Sequence, residues 1–243
     1  MATRLCRPGR DTIPPYKGEA AAAIGVVETI HLVSPPPRPY QNVDGIVQDQ
    51  DKIMSTYSAT ISASGDDARE TGGSVNLTGA NVTFQANNHY GGLRFVNVTI
   101  PAGSTINSAG LTVILPSASF DDPDLTIWGQ DSDDAATFTT TANDVSGRTA
   151  TTATTLWTAG NIGTGAKTSP SLAGIIQEII NRAGWASGND IALILKANST
   201  SPFRYNAYDG GGADYATLAV DYTAPSGGGQ PARTIHQFRQ RRV

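Results

Sequence analysis

Tyr90 to Pro116 reads YGGLRFVNVTIPAGSTINSAGLTVILP. Two apolar segments flank a connection made of Pro, Gly, Ser and Asn, and that connection holds no charge, no His and no Cys. Pro101 and Gly103 are turn residues, and Leu111, Val113 and Leu115 recur in the period of two that marks a strand with one buried face. Ile106, Ala109, Leu111 and Val113 are the candidates for burial. A segment so empty of reactive groups is scaffold, and the scaffold is strand-turn-strand.

The same texture extends in both directions. Short segments bounded by turn residues follow one another: YSATISASG, SVNLTGANVTFQ, GLRFVNVTI, AGLTVILP, LTIWGQ, DIALILKAN and YATLAVDYT. Leu218, Val220 and Tyr222 alternate as Leu111 to Leu115 do. Many short strands with turns between them predict a β-sandwich, and the absence of a fixed period speaks against a solenoid or propeller. One helix interrupts. In SPSLAGIIQEIINRAGW, Leu172, Ile175, Ile176, Ile179 and Ile180 form a single apolar stripe. Ser169 and Pro170 are its expected cap and first turn, and Gly184 its expected stop.

Composition agrees with one β-rich body carrying arms. The chain has 243 residues, 39% hydrophobic and 16% charged, with 26 Gly and 14 Pro. Residues 1–55 form an expected N-terminal arm, where IPPYKG and SPPPRPYQNV favour extended conformation and IGVVETIHLV (24–33) is a strand for this subunit or another. The body is 56–223. Residues 224–243 form a second arm behind the PSGGGQPA hinge, ending in TIHQFRQRRV with Ile235 and Phe238 as anchors. The longest apolar run, around Ala20 to Val27, is far short of the ~20 residues of a membrane span, so neither a signal peptide nor a membrane partner is expected. Cys6 stands alone, which excludes an internal disulfide.

Charge is divided unevenly. Arg4, Arg7, Arg10 and Lys17 against Asp11 make residues 1–18 net +3, and Arg233, Arg239, Arg241 and Arg242 make residues 224–243 net +4. The whole chain is −4, so the remaining 19–223 is −11. Basic arms on an acidic body predict arms that seek an acidic surface. The acidic body of a neighbouring copy is favoured over nucleic acid, since no nucleic-acid module is present.

The order GGLRFVNVTIPAGSTINSAGLTVI, LTIWGQDSDDAATF, TTLWTAG, SPSLAGIIQEIINRAGWASGNDIALILK, RYNAYDGGGADYATLAVDY resembles the DNRLRE-type jelly-roll domains, which are themselves similar to carbohydrate-binding β-sandwich modules. The resemblance spans roughly 60–222, and Trp185 matches the family's tryptophan after the helix. It implies an all-β jelly-roll sandwich with one packed helix, serving as a binding or structural module of bacterial surface proteins and of bacteriophage particles, and not an enzyme. The proline-rich and basic arms depart from the secreted members and look like those of a virion component. The expected partners are then further copies of the chain and other virion proteins, with host surface glycans as a second possibility.

Candidate site residues are few. His31, His89 and His236 stand in no triad, and neither G-x-S-x-G nor H-E-x-x-H occurs. Asp131, Asp133 and Asp134 are spaced as loop carboxylates for Ca²⁺, without the Gly and Glu of an EF-hand; a solvated turn cluster is the competing reading, and no cofactor is otherwise implied. Among the aromatics, Tyr205 and Tyr208, with Asp209 in the DGGGAD loop, are the candidates to contact a ligand such as a sugar ring. Trp185 is expected in the core. Arg4, Arg7, Arg10, Phe238, Arg239, Arg241 and Arg242 are the candidate assembly contacts of the arms.

Overall fold

Pro101 to Ser104 form a turn closed by the Ser104 amide donating to the Pro101 carbonyl at 3.2 Å, with Gly103 at φ 76°, a left-handed position that glycine occupies without Cβ strain. This turn carries the chain from one sheet to another. The computed structural model describes residues 54–212 and 215–225. The expected contacts Arg4, Arg7, Arg10, Phe238, Arg239, Arg241 and Arg242, and the segment 24–33, lie outside the described residues.

The elements run β1 (Met54–Thr60), β2 (Asp67–Thr71), β3 (Ser74–Asn76), β4 (Asn81–Phe84), β5 (His89–Phe95), β6 (Thr105–Leu115), β7 (Asp124–Gln130), β8 (Ala150–Thr158), β9 (Gly165–Thr168), α1 (Ala173–Ile180), β10 (Ile191–Ala197), β11 (Phe203–Asn206) and β12 (Thr217–Thr223). One sheet has the order β1-β12-β6-β9, a second β3-β2-β5-β10-β7-β8, and β11 pairs with β4 apart from both. All pairings are antiparallel. If β1, β5, β6, β7, β8, β9, β10 and β12 are numbered one to eight, the sheets read 1-8-3-6 and 2-7-4-5. Each sheet therefore takes strands alternately from the two halves of the chain, which is the interleaving of a jelly roll. β2 and β3 add a hairpin beyond β5.

One apolar core is shared by the sheets. Leu111, Val113, Leu115, Leu218 and Val220 enter it from the four-stranded sheet, and Leu93, Phe95, Leu125, Ile127, Leu193 and Leu195 from the six-stranded one. Each such side chain stabilises the fold by about 1.5–3 kcal/mol on transfer from water. Ile106 and Ala109 join them, as their spacing predicts.

The helix keeps its stripe but not its expected ends. Leu172, Ile175, Ile176, Ile179 and Ile180 are buried, yet the helix starts at Ala173, and the Ser169 hydroxyl accepts the Leu111 amide instead of capping it. Gly184 lies beyond the helix end; a Cβ there would stand 2.1 Å from Asp133 Oδ2, so the glycine makes room for that carboxylate. Polar side chains moor the helix to both sheets. Gln177 accepts the Ile106 amide and donates to the Ser104 carbonyl. Glu178 accepts the Thr152 and Ala153 amides of edge strand β8, both at 2.7 Å. An edge covered in this way offers less template for foreign strands.

The outer face of the six-stranded sheet is covered too. Residues 131–149 lie over it and bring Ala135, Phe138 and Val145 onto Ala68, Ala192 and Ile194. Glu70 holds this cover by accepting the Val145 and Ser146 amides at 3.0 and 2.9 Å and the Ser146 hydroxyl. Arg94 binds Asp66 at 2.7 Å, Asp190 at 2.5 Å and the Ala135 carbonyl. β10 is thus buried on both faces over Ile191–Leu195, and its run IALIL is apolar for that reason. No helix of the described residues is long and apolar enough to cross a membrane.

Candidate functional site

β11 alternates, so Phe203 and Tyr205 point inward while Arg204 and Asn206 point out. This corrects the expectation for Tyr205. Its ring is fully enclosed, 6.1 Å from Phe84 and 6.3 Å from Phe203, and it offers no face to a sugar. Its hydroxyl ends beside Gly91, where a Cβ would stand 2.8 Å away, and it has no hydrogen-bond partner among the described residues. Burial, and secondarily the nearby Asp67 charge, raise its ionisation well above that of an ordinary phenol.

After β11 the chain turns sharply. The Ala207 amide donates to the Ala80 carbonyl, and Tyr208–Gly210 form a short 3-10 turn followed by Gly211 at φ 75°. Gly210 is needed for close approach, since a Cβ would lie 2.7 Å from the Ala80 carbonyl oxygen. The Tyr208 amide donates to Asp67 Oδ2 at 2.7 Å. The Tyr208 ring stands 5.0 Å from that of Tyr215, and both are partly exposed. Asp209 is exposed and accepts the Ser64 hydroxyl at 2.9 Å. Tyr208 and Asp209 therefore meet at one corner, with Tyr215 as their neighbour and Asp67 beneath them. Asp67 is 2% exposed. Burial first, then the charges of Asp209 and Asp66, push its carboxyl up to about 7, against the opposing effect of the Tyr208 amide. Chemically the corner can stack an apolar ring face, accept hydroxyl hydrogens at Asp209 and hold a proton near neutrality.

The aspartates proposed for Ca²⁺ are engaged elsewhere. Asp131 and Asp133 both pair with Arg182, just past the end of α1, the latter at 2.7 Å. Asp134 accepts the Asp190 amide at 2.9 Å. Asp131 and Asp133 fasten the cover loop to the helix terminus, and Asp134 fastens it to the start of β10; among the described residues no group of three His, Cys, Asp or Glu is arranged to hold a metal ion.

The remaining candidates are structural. Trp185 is buried and its indole donates to the Ile100 carbonyl. Trp157 is buried against Phe203. His89 sits between the Gln85 amide and the Thr83 carbonyl. An open hollow of about 420 Å³ is lined by Asp122, Pro123, Asp124, Thr158, Ala159, Gly160 and Ser201. Sequence reasoning missed Asp67, Glu70 and Arg94, whose stretch DARET and isolated arginine look like solvated surface. The signal available was the alternation in DARET, with Ala68 and Glu70 on one side.

No protein-family model matches the chain, and no curated protein matches it.

Proposed function

We propose that this chain is a non-enzymatic structural protein of a bacteriophage particle, either decorating or cementing the capsid or forming part of the tail or fibre. The observation that carries the reading is the strand order 1-8-3-6 and 2-7-4-5, an architecture shared by viral capsid and lectin domains. In this reading the body is a DNRLRE-type jelly roll that packs with further copies, and the arms tie neighbours together. Basic residues at both ends and an acidic middle support inter-subunit links, and the segment 24–33 supplies a strand for β-addition. The buried ionic groups hold loops to the sheet, as a scaffold requires.

The test is to sediment particles from the source through a density gradient and quantify this chain by peptide mass spectrometry. A ratio near one to the major capsid protein supports decoration or cement. A low, constant ratio supports tail or fibre placement. Absence from the particle overturns the reading. Deleting residues 224–243 is expected to weaken assembly while the body stays folded.

A second reading, glycan binding by the body, is favoured by the partly exposed Tyr208–Tyr215 pair beside Asp209. It requires glycan affinity in the full chain that is lost in Tyr208→Ala with the far-UV spectrum unchanged.

A further inference from the structure

A strand at the edge of a sheet exposes a row of amides and carbonyls, and proteins guard such rows. The two sheets have four edges. β3 has three residues and β9 four, the latter including Lys167. β8 is covered by Glu178, and its Thr155 hydroxyl donates to the Ser171 carbonyl. β1 differs. Its seven residues, MSTYSAT, include no charge and no proline, and all seven pair with β12 without a bulge. The Ile61 amide donates to the Ala216 carbonyl just beyond this ladder. Bonded and non-bonded pairs alternate in an antiparallel ladder, so Thr56, Ser58 and Thr60 direct their amides and carbonyls away from β12. Among the described residues no group meets them. All three residues are exposed, and Met54 on the same edge is 71% exposed.

We infer that the free edge of β1 is the docking site for residues 24–33 of a neighbouring copy, which add to the four-stranded sheet as a fifth strand. This assignment rests on the reading of the chain as an assembling particle protein, and it names the surface on which one arm acts. Three features favour this occupant. IGVVETIHLV has ten residues against the seven of β1, and its only charged residue is Glu28, so no like charge on the edge opposes it. Its alternate residues Ile24, Val26, Ile30 and Leu32 share one side of a strand. On the corresponding side of β1, Tyr57 is buried and Ala59 packs against the core, so the added strand extends the core past its rim. Finally, twenty residues, 34–53, separate the segment from β1. Pro35, Pro36, Pro37 and Pro39 favour a stiff extended spacer of about 3.1 Å per residue directly after it, which carries the segment outward to a neighbour in preference to a tight return.

The test is amide hydrogen exchange by NMR on the full chain at fixed pH, reading Thr56, Ser58 and Thr60 against Leu193, which is paired on both sides within the six-stranded sheet. At a concentration about a hundredfold above the dissociation constant for self-association, exchange at the three amides is expected to be about a hundredfold slower than in the dissociated chain. With residues 24–33 deleted it is expected to be fast at every concentration. Thr29→Pro, which keeps the length and breaks the strand, is expected to do the same. Fast exchange in the concentrated, unaltered chain overturns the assignment. Protection that survives dilution gives the edge to the chain's own segment, and protection that survives both variants gives it to another occupant such as β1 of a second copy; either result overturns it. Should the deletion lower the protection of Leu193, Thr29→Pro decides. Fast exchange in a chain that co-sediments with particles removes only this docking site, whereas protection in a chain absent from particles removes only the virion reading.

Discussion

Gly92 tests whether the cover over the six-stranded sheet is packed as described. It lies opposite Ala68 on β2 and Ile194 on β10, on the outer face. A Cβ at Gly92 would stand 2.4, 2.7 and 2.9 Å from three atoms of the Phe138 ring. The ring has little freedom to retreat. Arg148 lies over it at 4.0 Å and donates to Gln130, to the Ala136 carbonyl at 2.8 Å and to the Thr137 carbonyl at 3.0 Å. The Phe138 amide is itself bound to the Gly65 carbonyl. Replacing a strand glycine by alanine ordinarily stabilises by about 0.5–1 kcal/mol. Overpacking a fixed ring costs about 1–3 kcal/mol. The clash is the larger effect, so Gly92→Ala is expected to lose about 0.5–2 kcal/mol, a fall in Tm of roughly 2–7 °C at this chain length. Shortening the ring should relieve it: in Gly92→Ala with Phe138→Leu, the two changes are expected to be favourably coupled by at least about 1 kcal/mol. Urea unfolding of the four proteins of the cycle measures this. A neutral or stabilising Gly92→Ala, or strictly additive changes, would refute the packing argument.

Three further outcomes are expected. Glu70→Ala leaves the buried Val145 amide without its acceptor and should cost about 2–4 kcal/mol, with exchange protection lost first in residues 139–148. Asp67 makes stability pH-dependent. Its folded carboxyl sits at about 7 against an ordinary 3.8, so the folded state keeps a proton that the unfolded chain releases. The stabilisation is complete below about pH 4 and is lost as pH rises through about 7, by up to about 4 kcal/mol; a denaturation midpoint independent of pH across this window, or an equal slope in Asp67→Asn, would contradict it. Glu178→Ala uncovers two amides on the β8 edge and should cost about 1–2 kcal/mol while raising the tendency to self-associate, as read by light scattering at constant concentration.

Local pattern determined much of this protein. Period-two alternation in 105–115 and 217–223 and the apolar stripe of 172–180 are properties of neighbouring residues, and each became the buried face of its element. The turn at Pro101–Gly103 was legible because only certain residues tolerate its backbone geometry. Strands without a strong alternating signal were not. β2 is charged and β8 is rich in threonine; their burial depends on what lies across from them, Glu70 against the Val145 and Ser146 amides, and Glu178 against the β8 edge.

The candidate site divides along the same line. Sequence placed Tyr208 and Asp209 in an exposed glycine-rich loop, where composition alone favours accessibility. It could not place Tyr205, because a tyrosine in a strand is platform or core according to which face is covered, and β4 and Gly91 cover this one. Nor could it separate Asp67 from Asp131, Asp133 and Asp134. All four are aspartates in polar text, and their chemistry differs only through distant neighbours. Arg182 reaches two of them, the Asp190 amide engages the third, and among the described residues no cation pairs with Asp67. Charge and periodicity are written along the chain, whereas compensation of a buried charge is decided by residues that only the folded topology brings together.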